Sequence, residues 1–132
     1  MSKRILLCDD EAHILRAAEF KFKRAGYEVC CAADGQEGWE LILRQRPDIV
    51  VTDCQMPRMN GLQLAQRIKN DPATAGLPVI MLSAKGFELS MTEIREKFGI
   101  RALLAKPFSP RELLQRVEAT LAGEAQPVAS YV

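Results

Sequence analysis

Residues 47–61 read PDIVVTDCQMPRMNG. Ile49, Val50 and Val51 form a short apolar run with β-branched content, the pattern of a strand buried on both faces. The run stops at Asp53. A carboxylate just past the C-terminal end of such a strand lies where open α/β sheets place their ligand sites. An Asp that merely caps or ends an element is the other reading of this residue. Met56-Pro57 and Asn60-Gly61 are loop and turn signals, with Pro fixing φ and Gly free to take φ > 0. Leu62, Leu64, Ala65 and Ile68 then begin a helical pattern, so the order is strand, acid, loop, helix.

Working outward, the same unit repeats on both sides. Residues 4–8 (RILLC) read as a first buried strand that ends on Asp9-Asp10-Glu11, and three acids in a row are ordinarily solvated or capping groups. Ile14, Leu15, Ala18 and Phe22 keep one helical face, closed by Gly26. Residues 27–33 (YEVCCAA) give a second strand. Asp34, with Glu37 three residues on, opens a helix in a capping-box pattern. That helix carries Trp39, a core anchor, with Leu41, Ile42 and Leu43 to Arg46, and Pro47 ends it. Downstream, residues 78–82 (PVIML) form a fourth strand stopping on Ser83, followed by a helix from about Glu88 to Phe98. Residues 102–105 (ALLA) form a fifth strand halted by Lys106-Pro107. Ser109, Pro110 and Glu112 combine an N-cap, an N1 proline and an N3 acid, the strongest helix start in the chain. Leu113, Leu114, Val117 and Leu121 supply its apolar face. After Gly123 no period survives.

Five strands alternating with five helices imply a parallel sheet with helices on both faces. The 132 residues fit one domain, and 48% hydrophobic with 27% charged content is that of an ordinary globule. A net charge of +1 does not advertise a nucleic-acid surface. Arg95, Lys97 and Arg101 accordingly read as a solvated face. No apolar run approaches the ~20 residues of a membrane span, and the start MSKRILLCDDE turns acidic too soon for a signal peptide. Cys8, Cys30, Cys31 and Cys54 lack C-x-x-C spacing and read as free thiols in a reducing cytoplasm, with Cys30 and Cys31 on opposite faces of their strand.

In a parallel sheet all C-terminal strand ends share one edge. Asp9, Asp10, Asp53, Ser83 and Lys106 are thereby brought to a single rim. Crowded carboxylates repel unless a cation or proton is taken up. All-oxygen ligands suit Mg²⁺, which keeps several waters and completes its octahedron with phosphate. The Lys is a point charge for phosphate, and the Ser hydroxyl can donate to a phosphoryl oxygen. One carboxylate is left over as nucleophile, so these are the parts of a phosphoryl-transfer site. Lys85 and Arg58 flank it, either as phosphate contacts or as solvated cations. His13, the one histidine, sits at a helix start with no partner and is set aside.

The acidic pair Asp9-Asp10, the segment VTDCQMPRMNG, Ser83-Ala84 and Lys106-Pro107-Phe108, in this order over residues 3–122, resemble the receiver domains of two-component response regulators. The resemblance implies a flavodoxin-like (βα)5 three-layer sandwich with strand order 2-1-3-4-5, a receiver domain over residues 1–122, and a tail or linker start at 123–132. It implies Asp53 as phospho-acceptor and Asp10 as direct Mg²⁺ ligand, with Asp9 assisting chiefly through water and Gln55 through its backbone carbonyl. Ser83 corresponds to the switch hydroxyl and Lys106 to the phosphoryl-binding cation, with small Ala84 leaving room for the phosphoryl group. The implied partners are a sensor histidine kinase or histidine phosphotransfer protein and a downstream target or output domain, with no nucleic acid or membrane. Beyond catalysing its own phosphorylation and dephosphorylation, such a domain is no enzyme. One departure stands out: the family's aromatic switch position, three before the Lys, holds Leu103. The rival readings are a Mg²⁺-dependent phosphohydrolase, whose Asp-x-Asp signature is missing because Cys54-Gln55 follow Asp53, and a receiver-like module that is not phosphorylated.

Overall fold

The computed structural model describes residues 2–83 and 91–123. Its strands are β1 (Arg4–Cys8), β2 (Glu28–Ala32), β3 (Ile49–Asp53), β4 (Val79–Ser83) and β5 (Ile100–Ala105). Between and after them run α1 (Ala12–Arg24), α2 (Gly35–Gln45), α3 (Gly61–Asn70), α4 (Met91–Phe98) and α5 (Pro110–Leu121). All strand pairs are parallel, in the order β2-β1-β3-β4-β5. The order reverses between β1 and β3, which opens a crevice outside their carboxyl ends.

Alternation along the strands divides the core into two layers. On one face Leu6, Cys8, Val50 and Met81 pack with Trp39 and Ile42 of α2, Leu64 and Ile68 of α3, and Ile94 and Phe98 of α4. On the other, Ile5, Leu7, Val51 and Ile80 pack with Ala18 and Phe22 of α1 and Leu113 and Val117 of α5. Every residue of β3 and β4 is buried, the signature of central parallel strands covered on both sides. Cys30 joins the first layer and Cys31 the second, so the adjacent thiols do face opposite ways; all four cysteines are free. Among the described residues no helix is long and apolar enough to cross a membrane.

Four local details depart from the sequence expectations. Asn60-Gly61 is a helix start: the Asn60 side chain accepts from the Gln63 N–H at 2.8 Å, and Gln63 Oε1 accepts from the Asn60 N–H at 2.9 Å. Gly61 is required for close approach, not for positive φ, since a Cβ there would lie 2.0 Å from the Asp53 carbonyl oxygen. At α2, Asp34 accepts from the Glu37 N–H at 2.8 Å, but Glu37 Oε1 takes the Ala33 N–H, so the reciprocal box is incomplete. β5 begins two residues earlier than its apolar run, directly after Gly99 in the left-handed region at φ 67°. The predicted start of the fourth helix near Glu88 lies outside the described residues, as do Ala84, Lys85 and residues 124–132.

Candidate functional site

β1 and β3 are neighbours in register, Leu7 opposite Val51 and Cys8 opposite Thr52, so their ends deliver acids side by side. Carboxylate oxygens of Asp9, Asp10 and Asp53 all lie within 4.8 Å of one another. Asp9 and Asp53 are buried, at 1% and 6% exposure, while Asp10 is open to solvent. Ser83 ends β4 at 1% exposure, one residue beyond Leu82, the register partner of Asp53. The next strand is tied in by the Lys106 N–H donating to the Ser83 carbonyl at 2.8 Å. Lys106 follows β5 through a cis peptide to Pro107. The sheet therefore assembles the acids, hydroxyl and ammonium expected from strand-end positions.

The Lys106 side chain closes the cluster. Its Nζ lies 3.0 Å from Asp9 Oδ2, 3.4 Å from Asp53 Oδ2 and 2.8 Å from Glu11 Oε1. Burial alone would lower this ammonium's pKa, but Glu11, Asp9 and Asp53 together raise it well above the usual lysine range. Asp53 moves the other way from an ordinary ion-paired acid. Burial and then the Asp9 charge push it up to about 6, outweighing the pull of Lys106. A carboxylate under that pressure gains when a cation or an esterifying group takes its charge.

The donor set fits a small divalent cation. Three carboxylates offer hard oxygen ligands, the chemistry Mg²⁺ prefers. Asp9 Oδ2 is buried, and the group beside it is the Lys106 ammonium at 3.0 Å. That ammonium is shared with Glu11 and Asp53, so Asp9 Oδ2 keeps lone pairs available to a cation. The other oxygen, Asp9 Oδ1, is already used, accepting from the Glu11 N–H at 2.9 Å.

The loop after Asp53 is held from two sides. The Cys54 N–H donates to Leu82 O at 2.9 Å and the Gly61 N–H returns to Cys54 O at 2.9 Å. Gly35 N–H donates to Met59 O at 2.9 Å, an approach so close that a Cβ on Gly35 would meet that oxygen at 2.2 Å. Gln55 is exposed within this loop. Arg58, at φ 66°, is engaged by Asp34, to which its Nε and Nη2 each donate at 3.1 Å. His13 is 80% exposed, with Glu11 at 3.8 Å. Leu103 is fully buried with Met81, Ile94 and Phe98. The residue that sequence reading passed over is Glu11, which appeared only as the third acid of a run. The separation of 95 residues from Lys106 leaves no local signal of their contact.

Comparison with known proteins agrees with this geometry. The family model "Response regulator receiver domain" matches residues 5–118. The phosphate regulon transcriptional regulatory protein PhoB of Pseudomonas aeruginosa is 39% identical over 121 residues, covering 92% of this chain and 52% of that protein. The chain thus spans about half the length of that relative. A chain assigned as a response regulator from Chloroflexus aurantiacus superposes with a TM-score of 0.83 at 35% identity, covering 92% of this chain and 99% of the other. The chemotaxis response regulator CheY4 of Vibrio cholerae gives 0.78 at 29% identity, covering 89% and 98%. With the family's sheet order and a match running from the first strand into the last helix, the chain belongs to the response regulator receiver domains of two-component signal transduction.

Proposed function

We propose that Asp53 is the phospho-acceptor of this receiver, in a domain spanning residues 1–122 with 123–132 as tail or linker, working in the cytoplasm. The observation that carries the reading is a buried Asp53 within 4.8 Å of two further carboxylates and 3.4 Å from the Lys106 ammonium. A carboxylate oxygen of Asp53 attacks the phosphorus of a phosphohistidine on a sensor kinase or phosphotransfer protein. The O–P bond forms, the N–P bond breaks, and the imidazole leaves with the electron pair and takes up a proton. Lys106 meets the phosphoryl oxygens as a fixed charge, and the Ser83 hydroxyl donates to one of them. A Mg²⁺ ion held by Asp9, Asp10, Asp53 and the Gln55 carbonyl would supply divalent charge against the same oxygens. Water later cleaves the acyl phosphate, returning the carboxylate and inorganic phosphate, so the domain catalyses its own phosphorylation and dephosphorylation. The phosphorylated state biases the α4–β5–α5 face toward a downstream protein or output domain.

Incubation with acetyl phosphate and Mg²⁺, followed by intact-mass measurement, tests this directly. One added phosphate is expected, absent from Asp53→Asn and after chelation. Undiminished labelling of Asp53→Asn would move the acceptor elsewhere.

A further inference from the structure

Glu11 occupies the N-cap position of α1, with φ −90° and ψ 103°, yet its side chain makes no capping bond. An acid at a helix start ordinarily turns back to the free N–H groups. This one reaches across to Lys106, and at 2.8 Å it is the nearest of the three carboxylates around that ammonium. Glu11 Oε1 accepts a hydrogen bond from Lys106 Nζ at that distance. Glu11 lies outside the group of oxygens that share the metal-sized cluster. A cation among Asp9, Asp10 and Asp53 would therefore draw off the charge of two of Lys106's partners and leave Glu11 as the third. Its side chain is 46% exposed, against 2% for Asp9 and 8% for Asp53, so it alone of the three can swing into water at little cost.

We propose that Glu11 is the resting partner of Lys106, a positioning residue that the phosphoryl group must displace before the ammonium can serve Asp53. This deepens the reading of Asp53 as phospho-acceptor and rests on it. In the resting chain Lys106 is parked on Glu11 at the rim of the crevice; on phosphorylation it transfers its hydrogen bond to a phosphoryl oxygen and Glu11 turns to solvent. Glu11 thus sets how readily the site accepts the group and how long it holds it.

The test is the affinity of the full chain, at saturating Mg²⁺, for beryllofluoride, a tetrahedral mimic of the phosphoryl group, followed by ¹⁹F NMR. Glu11→Gln should bind the mimic more tightly by roughly two- to five-fold, the factor expected for one half-exposed ion pair. Glu11→Asp separates contact from mere charge: it keeps the negative charge but shortens the reach by about 1.5 Å, one carbon–carbon bond. It is expected to match Glu11→Gln. If Glu11→Asp matches the wild type while Glu11→Gln binds more tightly, the effect is a general field and the proposal is overturned. Unchanged or weaker binding by Glu11→Gln also overturns it, while leaving Asp53's role intact. A wild-type chain that fails to bind the mimic at all would overturn both readings.

Discussion

Asp53 is held in a setting that opposes its own charge: it is buried, and Asp9 stands beside it. Lys106 only partly compensates, because its ammonium is shared among three carboxylates. Functional sites commonly retain such unfavourable charge at the expense of stability. Replacing Asp53 by the neutral isostere Asn should therefore stabilise the metal-free chain, by roughly 1 kcal/mol or about 3–6 °C in Tm for this size. Thermal melts in chelator check the sign, and a lower Tm for Asp53→Asn would mean that the Lys106 pair outweighs the crowding. Mg²⁺ should raise the wild-type Tm by mass action, because it binds the folded cluster and not the dispersed acids of the unfolded chain. That increment should shrink in Asp10→Asn and persist in His13→Ala, since His13 is exposed and lies outside the group formed by the three acids. Equal losses in the two variants would reopen His13 as a ligand.

At the scale of elements, the loops around the site are fixed by helix starts. Asp34 caps α2 through the Glu37 N–H and also takes both Arg58 donors, which fastens the β3–α3 loop to the head of α2. Its carboxyl is held below the ordinary 3.8, chiefly by the Glu37 N–H and further by Arg58. The folded value lies under the unfolded one, so Asp34 contributes stability above pH ~4 that is lost as pH falls through the folded value. Asp34→Ala should cost about 1 kcal/mol at pH 7, and its deficit against wild type should narrow in denaturant titrations below pH ~4. Asp34→Asn keeps a capping oxygen and should lose less; equal costs for the two would assign the effect to the Arg58 pair alone. The capping of α2 and α5 was legible, because Asp34 and Ser109-Pro110-Glu112 carry their signal within four residues. The Asn60-Gln63 box was obscured by the stronger turn signal of Asn60-Gly61. The need for Gly61 was visible only once the loop had folded back on the Asp53 carbonyl.

Across the whole molecule, the sheet turns scattered strand-end residues into one site. Asp9, Asp53, Ser83 and Lys106 were legible because a parallel sheet forces its C-terminal strand ends together. The Glu11–Lys106 contact was not, since it depends on how one side chain leaves a helix start. The same long-range packing bears on Leu103, which stands where the family pattern has an aromatic switch. A Leu there needs no polar partner when buried, and it is already fully inside, against Met81, Ile94 and Phe98 of β4 and α4. Turning it outward would forfeit ~1.5–3 kcal/mol of apolar burial, which leaves an outward population of roughly 1–10%. On the proposed reading, a phosphoryl group at Asp53 would have little of that side-chain equilibrium left to shift, and output would run through movement of α4 and β5 as packed units. NMR of the Leu103 methyl groups, with and without beryllofluoride, should accordingly show small shifts in fast exchange. Leu103→Tyr, with a larger ring and a hydroxyl that seeks a partner, should instead show a distinct second state. A large, slow two-state change at Leu103 itself, confined to the mimic-bound form and matching that of the Tyr variant, would restore side-chain rotation as the switch.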